Sequence, residues 1–260
     1  MVAHSGDGLA RLLHWPHLDV MTDEKALRPR NSDAVPSQRS SAGEIDAFLK
    51  QAREAIASSR GGRLILALDA TMSRQPTWDL ACELQGQMFD AAGNADALNV
   101  QLVYFRGFGE CRASRFVNDT TSLKQLMTRI DCRAGHTQIG KVLAHALKEA
   151  GNAPVAAVVY IGDAMEEHID QLAEKAGRLG LLGVPVFVFQ EGRDRDAETA
   201  FKEIARLTRG AWFRFDRSAA ATLAKLLSSV AVFATGGLKA LEARNRPEDR
   251  LMIEHLSGHR

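Results

Sequence analysis

Short apolar runs, each ending in a polar residue, alternate with amphipathic stretches along this chain, and few folds accept that pattern. Arg63-Leu-Ile-Leu-Ala-Leu-Asp69 is continuously apolar until its last residue. A strand with this profile is buried on both faces, as in a parallel sheet. Pro154-Val-Ala-Ala-Val-Val-Tyr-Ile161 and Val184-Pro-Val-Phe-Val-Phe189 repeat it. Residues 97–105 and 211–215 read as further strands. Cys111 to Val117 alternates weakly after a tight turn at Gly107-Phe-Gly-Glu110, as an antiparallel edge strand does. Helical spacing of apolar residues marks helices over 76–92, 119–130, 139–150, 166–181, 197–208 and 219–233. Asp119 or Thr120 is the expected cap of the second of these. Strands alternating with helices imply an α/β fold: a six-stranded, mostly parallel sheet with one antiparallel edge and helices on both faces.

The ends differ from this middle. Residues 1–42 carry Pro16, Pro29, Pro36 and a serine-rich run without apolar period, so they read as a poorly ordered leader. Met21 reads as an alternative start. Glu44 to Ser58 has helical spacing (Ile45, Phe48, Leu49, Ala52, Ile56) and reads as a packing helix. The stretch after Gly237 is charged and reads as a tail that frays.

Composition excludes several classes. Lys and Arg total 33 against 32 Asp and Glu, a net charge of +1, so no whole-protein field recruits nucleic acid or anionic membrane. Cys82, Cys111 and Cys132 are an odd, widely spaced set without a Cys-x-x-Cys pair, which argues against a disulfide framework or a thiolate zinc site. No secretory signal is evident in Leu9 to Pro16. The segment between Lys225 and Lys239 is shorter than the ~20 apolar residues that span a bilayer, and reads as a core helix. The expected location is the cytoplasm.

In a doubly wound sheet, ligands bind beyond the carboxyl ends of the strands, where strand order reverses. The polar residues directly after the apolar strands are therefore the ones to inspect. Asp69, Thr71 and Ser73 follow the first strand, and Asp163 follows Ile161 and Gly162. Thr137 lies in the loop opening the helix at 139. Two carboxylates and three hydroxyls on one edge form a hard oxygen set suited to Mg²⁺ or Mn²⁺. Such a set leaves the ion's shell unfilled, which suits docking of a further anionic group.

Asp69-x-Thr71-x-Ser73, then Thr137, then Asp163 resembles the metal-ion-dependent adhesion site of von Willebrand factor A domains. That family's pattern is Asp-x-Ser-x-Ser, a distant Thr and a distant Asp. Gly135-His-Thr-Gln-Ile-Gly140 looks like the threonine loop of prokaryotic, intracellular members. The resemblance spans about residues 60–235. It implies a Rossmann-like three-layer sandwich, with the domain at 43–236 including its N-terminal helix and a charged tail at 237–260. It also implies a non-enzymatic protein–protein interaction module that binds Mg²⁺, Mn²⁺ or Ca²⁺, with an acidic residue of a partner protein completing the shell. Thr71 departs from the family's Ser but keeps the hydroxyl, and Gly162-Asp163-Ala departs from Ser/Thr-Asp-Gly but keeps the carboxylate.

Other readings of the same residues remain open. Asp69, Thr137 and Asp163 can each be a cap or turn residue. His136, beside Thr137, is a candidate partner contact or an incidental loop histidine. Arg74 and Lys141 are candidates to attract an acidic partner, or solvated surface charges. A haloacid dehalogenase-type phosphatase would use Asp69 as nucleophile with Glu166 or Glu167 in the later acidic loop, but it needs an acid/base where Thr71 stands. A scaffold with a vestigial metal site is the other alternative. Neither a Gly-rich phosphate loop nor a Ser-His-Asp arrangement is evident.

Overall fold

The structure, a computed structural model, describes residues 62–72, 78–79, 81–82, 86–92, 97–215 and 220–257. The expected leader, the helix expected at Glu44–Ser58, and the candidate residues Ser73 and Arg74 lie outside them.

Six strands form one sheet: β1 (Gly62–Asp69), β2 (Leu98–Arg106), β3 (Glu110–Val117), β4 (Ala157–Gly162), β5 (Val186–Glu191) and β6 (Ala211–Phe215). Their order is β3-β2-β1-β4-β5-β6. Only β2 and β3 pair antiparallel; the other neighbours are parallel. The described helices are α1 (Gly86–Ala92), α2 (Thr120–Met127), α3 (Ile139–Asn152), α4 (Ile169–Leu181), α5 (Arg195–Thr208), α6 (Ala220–Arg244) and α7 (Pro247–Ser257).

The period-2 alternation of the strands divides the core in two. Leu64, Leu66, Leu68, Leu102, Val159 and Phe187 face α1, α2, α6 and α7. Ile65, Ala67, Val103, Val158, Tyr160 and Val188 face α3, α4 and α5. Every residue of β4 and β5 is buried, so the continuous apolar runs do mark strands covered on both faces. Asp119 caps α2, accepting from the Ser122 N–H at 2.7 Å. The cysteines are free thiols, and burial pushes Cys111 up to about 12.

Three boundaries differ from the sequence expectation. Strand β5 starts at Val186 rather than Val184, because Pro185 has no N–H to give; its carbonyl accepts from Val158 N at 2.9 Å. Helix α4 starts at Ile169, not Glu166, because Glu166 and Glu167 reach across to another loop. The segment expected to fray is helical to Ser257. Gly237, at φ 64° and ψ −161°, is non-helical and divides α6 into two helical segments across a kink, and the chain then turns into α7.

Asp249 locks that turn. Its carboxylate is fully buried and paired with Arg244, and it accepts from Ser229 Oγ at 2.7 Å and from Arg246 N at 3.0 Å. The stretch Ala221–Arg244 is long and apolar enough, by length and composition, to cross a membrane, where only the shorter Lys225–Lys239 segment was considered above. In this fold 56% of its most apolar window is buried, with Leu223, Leu226, Leu227 and Val230 in the core.

Burial pushes the Asp249 carboxyl up, but Arg244, Ser229 and the Arg246 N–H more than offset this and hold it below the ordinary aspartate range. Its stabilisation is therefore complete above the ordinary aspartate value and lost as pH falls through the depressed folded value. Asp249→Ala leaves Arg244 with no counter-charge and is expected to cost about 3 kcal/mol. Urea unfolding at pH 7 and pH 3 checks both points: the variant's deficit shrinks at the lower pH.

Candidate metal centre

Strand β1 stands between β2 and β4, so the loops leaving β1 and β4 head for opposite faces of the sheet. They open a crevice between them, the topological switch point. Asp69 ends β1 and Asp163 directly follows β4. Both line one cavity of about 290 Å³, together with Thr71, Thr137, Met72 and Glu166. Four of the five expected oxygen donors thus converge; the fifth, Ser73, falls outside the described residues.

Each donor is fixed by local bonds. Asp69 is 3% exposed, and its Oδ1 accepts from the Thr71 N–H at 2.8 Å. This closes a turn of the kind aspartate favours and holds Thr71 beside Asp69 in the cavity lining. The backbone continues the register: Ala70 N donates to Phe105 O at 2.9 Å, and Ala70 O accepts from Arg133 N at 3.0 Å.

Thr137 is 7% exposed and does not cap α3; the cap position is Gln138, whose side chain makes no capping bond. Instead Glu166 grips the threonine from the β4–α4 loop. The Thr137 N–H donates to Glu166 Oε2, and the Glu166 N–H donates to Thr137 Oγ1, each at 3.0 Å. His136 Nδ1 shares Glu166 Oε2 at 3.0 Å. The Thr137 N–H first, and His136 as well, hold the Glu166 carboxyl below the ordinary glutamate range against a smaller upward push from burial.

Glu167 does the capping. Its carboxylate accepts from the N–H groups of Ile139 and of Gly140, the latter at 2.9 Å, satisfying orphan donors of the first turn of α3. Burial pushes its carboxyl above the ordinary range despite these bonds. A Cβ on Gly140 would stand 2.8 Å from Glu167 Oε2, so the glycine admits the carboxylate. Neither role of this acidic pair was visible in the sequence. In sequence the two open the helix at 166–181 or serve as the later acidic loop of a phosphatase, and only the pairing of two loops distant in the chain reveals what they hold.

The threonine loop packs in turn against the β2–β3 turn. His136 N donates to Gly107 O at 3.1 Å, and Lys141 Nζ donates to Gly109 O at 2.8 Å. A Cβ on Gly135 would come within 2.2 Å of the Gly107 backbone. Lys141 therefore lies on the same edge but is engaged with the turn rather than lining the cavity, and His136 stands at the rim.

The donors that meet here are carboxylate and hydroxyl oxygens, which fit a hard divalent cation. No family model matches the sequence, and no curated protein matches it either. Solved structures do. A von Willebrand factor type A protein from Catenulispora acidiphila superposes with a TM-score of 0.56 at 15% identity, over 66% of this chain and 43% of that one. Proximal thread matrix protein 1 from the mussel byssus, with a zinc-occupied MIDAS motif, gives 0.54 at 18% identity, over 66% and 48%.

The chain has the von Willebrand factor A fold.

An aerotolerance-related membrane protein from Bacteroides fragilis, carrying multiple mutations to serine, gives 0.52 at 22% identity, over 66% of this chain and 98% of that one. The chain thus spans less than half of the Catenulispora and mussel proteins. Helix α7 and its Asp249 lock pack against α6 and β6.

The grip on the threonine loop is testable by stability. Glu167→Ala removes the α3 cap and is expected to cost about 1 kcal/mol. Gly135→Ala forces backbone against backbone and is expected to cost about 2 kcal/mol. In Gly140→Ala the flexible Glu167 carboxylate can yield, so its cost should not exceed that of Glu167→Ala. Urea unfolding of the three variants gives the order.

Proposed function

We propose that this protein is a metal-dependent protein–protein interaction module. It binds Mg²⁺, Mn²⁺ or Ca²⁺ at Asp69, Thr71, Ser73, Thr137 and Asp163, and docks there an acidic residue of another protein. The observation that carries this reading is the convergence of Asp69, Thr71, Thr137 and Asp163 on one cavity at the switch point. When bound, a hard divalent cation supplies an open coordination position for an anionic oxygen. The chain's own part is to hold its donors still. Asp69 is locked by Thr71 N–H, and Thr137 is gripped by Glu166. An acidic group entering the cavity then meets a preformed site and loses little to reorganisation. His136 at the rim, with Lys141 a little further along the chain and Arg74 directly after Ser73, gives positive or hydrogen-bonding character to the approach. The location we propose is the cytoplasm.

Thr71 occupies the position where a phosphatase of the haloacid dehalogenase type needs a second carboxylate, and a hydroxyl cannot serve there as acid and base. The similarity of fold to a zinc-occupied protein makes Zn²⁺ a necessary competitor in any ion titration.

The test uses a peptide with one carboxylate, Ac-Gly-Ala-Glu-Ala-Gly-NH₂, and its Gln counterpart. Mn²⁺ binding to the protein is read by water proton relaxation, and peptide binding by NMR titration. The Glu peptide is expected to bind in Mn²⁺ and Mg²⁺ but not in EDTA, and the Gln peptide not to bind at all. Asp69→Ala is expected to abolish ion binding with the fold intact. Glu166→Ala, which frees Thr137, is expected to weaken it about 10–100-fold. Equal Mn²⁺ binding by wild type and Asp69→Ala would leave the protein a scaffold with an idle site.

A further inference from the structure

The cavity has an apolar rim that, among the described residues, belongs to neither core. Phe108 sits at the tip of the β2–β3 turn and is 85% exposed; Met72, which lines the cavity, is 64% exposed. The Phe108 ring lies edge-on to the His136 ring, with centroids 5.1 Å apart. His136 in turn bonds Glu166 at the cavity wall. Phenylalanine, imidazole and cavity wall are therefore continuous.

Among the described residues, the Phe108 ring touches only the His136 ring in an aromatic contact, and its turn is held by other groups. The turn is held by main-chain acceptors: Gly107 O takes the His136 N–H, and Gly109 O takes Lys141 Nζ. Gln138 Nε2 adds bonds to the carbonyls of Arg106, Gly107 and Glu110 at 3.3 to 3.4 Å. The close approach of Gly135 to Gly107 clamps the turn from below. The result is an aromatic ring presented to solvent on a backbone pinned to the threonine loop. Such a ring loses little conformational freedom when a partner covers it, which is the character of an interface anchor. Met72, in the cavity lining, has a flexible side chain that conforms to what it meets.

From this we infer that the partner segment docked at the candidate metal centre carries a large apolar residue within about two positions of its acidic residue, and that Phe108 and Met72 receive it. A peptide chain advances about 3.4 Å per residue, so a neighbouring side chain reaches the rim while the carboxylate enters the cavity. The occupant is a protein segment that pairs one carboxylate with an aromatic or aliphatic neighbour. Selectivity between acidic partners then comes from the rim, because the cavity reads only the charge. This inference rests on the metal-dependent docking proposed above.

Three peptides test it by NMR titration in Mn²⁺-free Mg²⁺ buffer: Ac-Gly-Phe-Glu-Phe-Gly-NH₂, Ac-Gly-Ala-Glu-Ala-Gly-NH₂ and Ac-Gly-Phe-Gln-Phe-Gly-NH₂. Covering part of one phenyl ring is worth about tenfold in affinity, so the Phe-Glu-Phe peptide is expected to bind about tenfold tighter than Ala-Glu-Ala. Phe108→Ala, at an exposed position, is expected to remove most of that preference and to leave Ala-Glu-Ala binding and Mg²⁺ affinity unchanged. The Phe-Gln-Phe peptide is expected not to bind. Equal affinity for the two Glu peptides, or a preference that survives in both Phe108→Ala and Met72→Ala, would overturn the rim inference and leave the metal docking standing. Binding of Phe-Gln-Phe as tight as that of Phe-Glu-Phe would also overturn it. Failure of both Glu peptides to bind would overturn the metal docking and this inference with it.

Discussion

Strand β1 has no solvent face, and the rest of the molecule is arranged around that constraint. Its side chains alternate between two cores, Leu64, Leu66 and Leu68 on one side and Ile65 and Ala67 on the other. Its backbone pairs with β2 along one edge and β4 along the other. A strand enclosed this way can meet water only at its ends. The first polar side chain after the apolar run, Asp69, is forced to the sheet's carboxyl edge, just where the neighbouring loops part. Asp163 arrives at the same edge for the same reason, one strand over. The candidate site is thus a by-product of burying β1 and β4 completely, and needs no long-range coincidence.

Placing the threonine demands more, because Thr137 follows no strand. It comes from a loop that has crossed from the β3 edge, and two forces hold it. Gly135 lets that loop press against the Gly107 backbone. The consecutive acids Glu166 and Glu167 bind it from the opposite side, one at Thr137 and one at the first turn of α3. Two adjacent carboxylates repel each other modestly at the surface. Here each is occupied by N–H donors of a different kind, and the helix terminus adds its own favourable field at Glu167.

These two layers differ in how legible they were in the sequence. Strand order and burial follow from local pattern: continuous apolar runs for the central strands, weak alternation and a Gly107–Gly109 turn for the edge. Asp69, Thr71 and Asp163, which line the cavity, were legible because each follows an apolar strand, and Thr137 because it stands just ahead of the helical period at 139 in a loop that resembles the family's threonine loop. Glu166 and Glu167 were not, since acidic residues ahead of an apolar helical period are what a helix start normally shows. Their true partners lie 27 to 30 residues away. The C-terminal helix was hidden for a similar reason. Gly236 and Gly237 look like a stop, and the charges beyond them look solvated. The Asp249–Arg244–Ser229 cluster buries some of those charges together, which no periodicity reports.

The acid pair also ties the loop that carries Asp163 to the threonine loop. Asp163 and Glu166 belong to one short loop, and Glu166 holds Thr137 by two bonds. A force that draws Asp163 into the cavity is therefore transmitted to Thr137 without passing through the core. Thr137 lies two residues before α3, whose first turn is tied to the same loop through Glu167. The β2–β3 turn follows, because His136 and Lys141 are bonded to it on either side of Thr137. Occupancy of the cavity and the position of Phe108 are in this way linked through hydrogen bonds and one glycine contact, all on the surface side of a sheet that has no need to move. Any coupling between charge in the cavity and the aromatic rim is then reciprocal. On the docking proposed above, a partner that grips Phe108 steadies the threonine loop, and a steadied loop presents its oxygen donors at less cost.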